Sequence, residues 1–277
     1  MRGRLLAPKI IEEGGGPVKK ATYYGSLPAS LSVRGRLELA KDAGLDGVEI
    51  PTFKTQRETE EVASIAAEVG IAVHSVMAGS HWTLPLSSTD EDVRLQGVEG
   101  IKHALHVAKW AGADTVLVVP GVVNESVPYG AAYDLSQKSL REILPTAEEL
   151  GITMALENVW NKFLLSPLEF RTYIDQMEHE LVKAYFDVGN ILLYGYPHQW
   201  IDILGDRIVK VHIKDFNTDT RNFVALLTGH VDWPRVVNAL RGIGYSGYLT
   251  AELGAYTHFP EQLVYDTAAH LDKIING

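Results

Sequence analysis

"TMALENVWNK", residues 153–162, begins as a strand and breaks off on a charge. Thr153 to Leu156 form a short apolar run suited to a buried strand, and Glu157 and Asn158 follow directly. A carboxylate that leaves water needs a partner, a metal or a reason to be neutral. The same break recurs in "AYFDVGN" (184–190), "IVKVHIKDF" (208–216) and "GYLTAEL" (247–253). A common explanation has to cover all four.

The rest of the chain sets these four stretches in a repeat. Short β-rich runs alternate with longer segments of helical period. The expected strands are 19–24, 46–51, 71–78, 114–121, 153–158, 183–190, 208–216 and 247–253. Between and after them, helical periodicity predicts helices over 32–44, 57–70, 90–112, 132–151, 166–177, 197–206, 232–244 and 259–276. Gly44, Gly70 and Gly151 stop three of these helices, and Pro145 predicts a kink or break in the fourth. Ser166 and Pro167 supply an N-cap and a first-turn proline. Strand then helix, repeated about eight times, predicts an α/β chain folded as a single-domain (β/α)8 TIM barrel. A doubly wound open sheet is the structural rival, but no GxGxxG follows an early strand. Residues 1–18 read as a flexible leader with "EEGGG", and 19–277 as the catalytic domain.

Composition narrows the function. The chain has 277 residues, 46% of them hydrophobic, enough for a substantial core. With no cysteine, disulfides, thiolate nucleophiles and Cys-ligated metals are excluded. A net charge of −10 disfavours a nucleic-acid partner. No apolar run reaches the roughly 20 residues of a membrane helix. A cytoplasmic location is the default expectation.

In a barrel the active site lies at the C-terminal ends of the strands. The polar residues there are Glu49, His74, Glu157, Asp187, His212 and Glu252, while strand four ends in "VVPG" and offers only backbone. The last four come from consecutive strands. One buried carboxylate could be a helix cap or an ion-pair partner; three with an imidazole at equivalent positions make a divalent-metal site. The ion would offset the cost of burying them, which answers the question set by Glu157.

"VHIKDF", "FDVGN" and "LEN" resemble the xylose-isomerase-like superfamily of sugar isomerases and epimerases, over nearly the whole chain from about residue 20. "GSHWTLPLSS" (79–88) and "GHVDW" (229–233) resemble its branch of L-ribulose/L-xylulose 5-phosphate 3-epimerases and hexulose 6-phosphate isomerases. The resemblance implies that Glu157, Asp187, His212 and Glu252 bind one divalent ion, Mn2+ foremost, with Mg2+, Co2+ or Zn2+ as alternatives. It implies that Glu157 and Glu252 double as acid and base. Many epimerases of free ketoses carry a histidine three residues after the metal aspartate; here Asn190 stands there, as in the phosphate-sugar branch.

The expected chemistry is proton movement next to a ketose carbonyl through a cis-enediolate that the ion stabilises. Carboxylates on both faces give a 3-epimerase; transfer between carbons gives an aldose–ketose isomerase. Either is an enzyme of carbohydrate metabolism acting on a small sugar or sugar phosphate. Glu49, His81, Asn190, Lys214 and Arg221 are the candidate substrate contacts, with Trp82 beside His81 as a further one and Trp160 as either a wall of the site or core packing. For Lys214 and Arg221 a salt-bridged or mobile surface side chain is an equal alternative. Asp232 is expected to cap the following helix. A metal-dependent lyase of the same superfamily, an inosose dehydratase or a C-glycoside-cleaving subunit, is the alternative function. An apurinic-site endonuclease would need histidines at strand four and after Asp187 that this chain lacks. Self-association is compatible with an aromatic-rich surface, without a particular interface.

Overall fold

The computed structural model describes residues 16–277. The expected leader therefore lies outside the described residues up to position 15. Eight parallel strands close into a barrel: β1 (Lys19–Tyr23), β2 (Gly47–Pro51), β3 (Ala72–Met77), β4 (Thr115–Val118), β5 (Thr153–Glu157), β6 (Val182–Asp187), β7 (Ile208–Ile213) and β10 (Tyr248–Ala251). Two further strands, β8 (Asp215–Asn217) and β9 (Asn222–Val224), form an antiparallel ribbon inserted between β7 and β10. Pairing of β1 with β10, Lys19 opposite Tyr248, closes the sheet and rules out the doubly wound alternative.

The helices form where the sequence caps them. They are α1 (Val33–Asp42), α2 (Gln56–Val69), α3 (Glu91–Ala111), α4 (Tyr129–Leu150), α5 (Pro167–Asp175), α6 (Val188–Ile191), α7 (Pro197–Leu204), α8 (Trp233–Gly242) and α9 (Pro260–Asn276). Thr55 and Glu58 make a reciprocal capping box on α2. Ser166 accepts from the Glu169 amide ahead of Pro167, and Asp90 caps α3 through the Asp92 and Val93 amides. Gly70 ends α2 in the left-handed region at φ 76°, which spares the steric cost a Cβ would bring. Pro145 lies inside α4 without breaking it. Leu140, Ile143 and Ala147 are buried on both sides of it, and that burial outweighs one missing backbone hydrogen bond. No described helix is long and apolar enough to cross a membrane.

Most of the apolar core lies between the strands and the helices. The barrel interior is different: a small cluster of Leu117, Val119, Ala155, Val159 and Tyr185 shares it with polar groups. The β2–β3 register slips by one, Val48 facing Val73 but Glu49 facing Ser75, so His74 is the extra residue of a bulge. A bulge lets neighbouring residues share one face. Ser75 Oγ donates to Glu49 Oε1 at 2.9 Å, while His74 stacks on Tyr248 with ring centroids 4.1 Å apart. His74 therefore belongs to the packed interior, with Thr250 Oγ1 3.2 Å from its Nε2.

Candidate active site

Two of the strands expected to run on into polar residues stop at them, and the other two end within one residue of theirs. β5 ends at Glu157, β6 at Asp187 and β7 one residue past His212; Glu252 follows β10 directly. Asp187 then becomes the N-cap of α6, its Oδ1 accepting from the Asn190 amide at 2.7 Å. Asn158 brackets the same residue from the neighbouring strand. Its Oδ1 accepts from the Asp187 amide at 2.9 Å and its Nδ2 donates to the Asp187 carbonyl at 2.8 Å. The side chain of Asn190 donates back to the Asn158 carbonyl at 3.0 Å.

Glu157, Asp187, His212 and Glu252 each offer one ligand atom, and these atoms lie within 4.8 Å of one another. His212 Nδ1 is 3.0 Å from Glu157 Oε1 and 3.4 Å from Glu252 Oε2. Asp187 Oδ2 is fully buried and accepts no hydrogen bond; the nearest cation is the Lys214 ammonium at 3.1 Å. Three hard carboxylates and one imidazole gathered at this distance suit a divalent ion such as Mn2+, Mg2+, Co2+ or Zn2+.

Local electrostatics separate the two glutamates. Burial pushes the Glu157 carboxyl up to about 7, against the pull of His212. Burial acts on Glu252 in the same sense, but the positive charges of His212 and Lys214 hold it below the usual carboxylate range. The cost of burying His212 is overcome by Glu49 and Glu157, which raise it well above an ordinary histidine.

A family model for the xylose isomerase-like TIM barrel matches residues 37–274. The chain belongs to that family. Among curated relatives, L-ribulose-5-phosphate 3-epimerase UlaE of Salmonella heidelberg (strain SL476) is 28% identical over 250 residues, covering 85% of this chain and 87% of that protein. The protein of the same name from Salmonella typhi is equally similar. Solved structures share the fold. A D-tagatose 3-epimerase-like protein superposes with a TM-score of 0.81 at 21% identity, covering 94% of this chain and 97% of that one. The 3-keto-D-glucoside 4-epimerase YcjR from E. coli gives 0.80 at 20% identity over 92% and 99% of the two chains.

Around the cluster the family barrel places the remaining candidates unequally. Glu49 lies inside the barrel, its Oε2 2.7 Å from His212 Nε2 and its Oε1 held by Ser75. Lys214 pairs with Asp187 and with Glu252 Oε2 at 2.6 Å. His81 stands half-buried after β3 with Nδ1 3.0 Å from the Ala78 carbonyl, and burial lowers its pKa. Its ring meets Trp82 edge-on at 4.8 Å. Arg221 stands exposed at the turn of the β8–β9 ribbon, away from the cluster's hydrogen bonds and ion pairs. Asp232 accepts from the Arg235 amide and caps α8. The ribbon was not legible as a wall of the site. Its Phe223 stacks on Trp160 at 4.8 Å and 15°, and Phe216 meets Trp160 edge-on. The available signal was a turn-rich "NTDT" between aromatic residues. A cavity of about 490 Å3 begins at Lys214 and Glu252 and runs between this ribbon and α9.

Proposed function

We propose that this chain is a divalent-metal-dependent epimerase or isomerase of a ketose, moving the proton next to the carbonyl through a cis-enediolate. The observation that carries the reading is the convergence of Glu157, Asp187, His212 and Glu252 at the ends of four consecutive barrel strands. Similarity to curated ketose-phosphate 3-epimerases supports the same class of chemistry. These four side chains would hold the ion, with Mn2+ expected first. When bound, it supplies Lewis-acid polarisation of the carbonyl and offsets the charge that develops on oxygen.

The protein's own groups handle the proton. Glu252, ion-paired with the Lys214 ammonium at 2.6 Å, is the acceptor for the α-proton. Glu157, buried across the cluster beside His212, is the donor that returns one. Asp187, bracketed by Asn158 and Asn190, keeps its Oδ2 turned to the cluster, 3.1 Å from the Lys214 ammonium. Trp160 and Phe223 supply an aromatic wall that shields the reacting carbons from water. A cytoplasmic enzyme of carbohydrate metabolism with a small sugar as its partner fits these features.

Proton NMR in D2O tests the reading. Mn2+-loaded protein, incubated with ketoses and ketose phosphates, should incorporate deuterium next to the carbonyl and yield an epimer or aldose, and EDTA should stop it. Glu157→Gln and Glu252→Gln should each lower turnover by roughly 10²–10⁴-fold. Wild-type turnover in Glu157→Gln would remove that residue from the chemistry. Exchange accompanied by loss of water would make the protein a lyase.

A further inference from the structure

The cavity beside the cluster carries information on what the substrate brings with it. Lys214 and Glu252 stand at its inner end, Phe223 and Leu226 of the ribbon segment on one side, and Tyr256, Asp266, Thr267 and His270 on the other. Its basic side chains are Lys214 and His270. The Lys214 ammonium is shared between Asp187 and Glu252. His270 sits one turn along α9 from Asp266, the spacing at which helical side chains are neighbours. Asp266 accepts from Tyr256 Oη at 3.1 Å and from Gln262 Nε2 at 2.8 Å. A carboxylate oxygen has two lone-pair directions, so Asp266 retains acceptor capacity for a further hydroxyl.

Barrels that bind phosphate commonly do so at loops after strands seven and eight, using a helix N-terminus. Here both helix starts in that region carry carboxylates. Asp232 caps α8, and Glu261 lies in the first turn of α9 behind Pro260. A phosphate monoester carries about −1.5 to −2 charges at neutral pH, and in this cavity it would meet the carboxylates of Glu252 and Asp266. A hydroxylated carbon chain would meet acceptors, hydroxyls and an apolar side.

We propose that this cavity is the subsite for the uncharged, hydroxyl-bearing end of the substrate, so that the enzyme takes a non-phosphorylated ketose. The assignment rests on the ketose reading of the metal cluster and adds the substrate class. It separates this chain from curated relatives whose names carry a 5-phosphate.

The test uses matched pairs: L-ribulose with L-ribulose 5-phosphate, and D-fructose with D-fructose 6-phosphate. With Mn2+-loaded full-length protein, kcat/KM for α-proton exchange should favour the free sugar of the productive pair by about tenfold or more. Asp266→Asn should narrow that ratio by about threefold or more, because it removes a charge and keeps the shape. Equal values for a pair, or preference for the phosphate ester, would overturn the subsite while leaving the ketose chemistry intact. A ratio unmoved in folded Asp266→Asn would also overturn it. If no sugar exchanges its proton, the ketose reading fails on its own. The thermal upshift of wild-type protein by each pair at equal concentration then decides the subsite: a larger shift with the free sugar supports it, and any other result rejects it.

Discussion

Glu49 shows what a single side chain does here. It is fully buried, with one oxygen on His212 Nε2 and the other on Ser75. With a cation bound, a proton on Nε2 shared with Glu49 would leave Nδ1, the nitrogen facing Glu157 and Glu252, with its lone pair for that cation. Removing such a carboxylate typically weakens metal affinity about 10–100-fold, and that loss is expected for Glu49→Ala. Glu49→Gln, which can still accept from Nε2, should lose less. Competition against a chromogenic chelator measures both, and unchanged affinity in Glu49→Ala would mean that Glu49 does not orient His212. The four-residue cluster itself was legible because each member interrupts an apolar strand. The inward aim of Glu49 was not, since a strand-end acid reads alike whether it faces substrate or a ring below it. Nor could the sequence reveal the bulge that turns both His74 and Ser75 inward, because it arises from pairing with β2.

Among elements, the caps were readable and the exact strand ends were not. Ser166, Thr55 and Gly70 act locally, through groups within four residues of themselves. Strand ends depend on which neighbour remains to be paired, so 183–190 became β6 and α6, and 208–216 became β7 and the start of the ribbon. At the first of these junctions α6 passes very close to the chain after β7. A Cβ on Gly189 would lie 2.7 Å from Lys214 Cβ and 2.8 Å from the Lys214 carbonyl oxygen. Gly189→Ala must therefore move Asp187 or Lys214, and it should lower turnover by about tenfold or more, in line with misplacement of a positioned group. Steady-state kinetics beside an unchanged far-UV spectrum checks this. Helices α3 and α4 are joined by the buried Arg94, which donates to Glu91, Ser139 and Glu142. Arg94→Met should destabilise the fold by about 2–3 kcal/mol, measured by denaturant unfolding. Hydrogen bonds from Arg94 and then Lys138 hold the Glu91 carboxyl down at about 2, from an ordinary 4.5. A carboxyl depressed by folding stabilises above its unfolded pKa and loses that contribution as pH falls through its folded pKa. The melting temperature should thus decline between about pH 4.5 and 2 less steeply in Arg94→Met than in wild type.

For the whole molecule, closure was legible from the repeat count, because eight strands separated by helical crossovers have few ways to bury both faces. What closure creates is a mouth where three carboxylates share a space within 4.8 Å, paired among the described residues with His212 and Lys214. The side chains of this cluster come from β5, β6, β7 and the end of β10, so an ion held there would tie together half the barrel's strands. The unfolded chain has no such constellation, and a cation that binds only the folded state stabilises it in proportion to the logarithm of its concentration over Kd. At 100 times Kd this amounts to about 2.7 kcal/mol. For a chain of 277 residues each kcal/mol moves the melting temperature by roughly 2–4 °C, so saturating Mn2+ should raise it by about 5 °C or more over protein in EDTA. Asp187→Asn removes a ligand while an amide oxygen can still cap α6, and it should abolish most of that rise with little change in the EDTA curve. Scanning calorimetry on both proteins, with and without Mn2+, reads the difference directly. Coincident wild-type curves would mean that the four side chains hold no ion of consequence to the fold, and the cluster would then have to be explained by Lys214 and His212 alone.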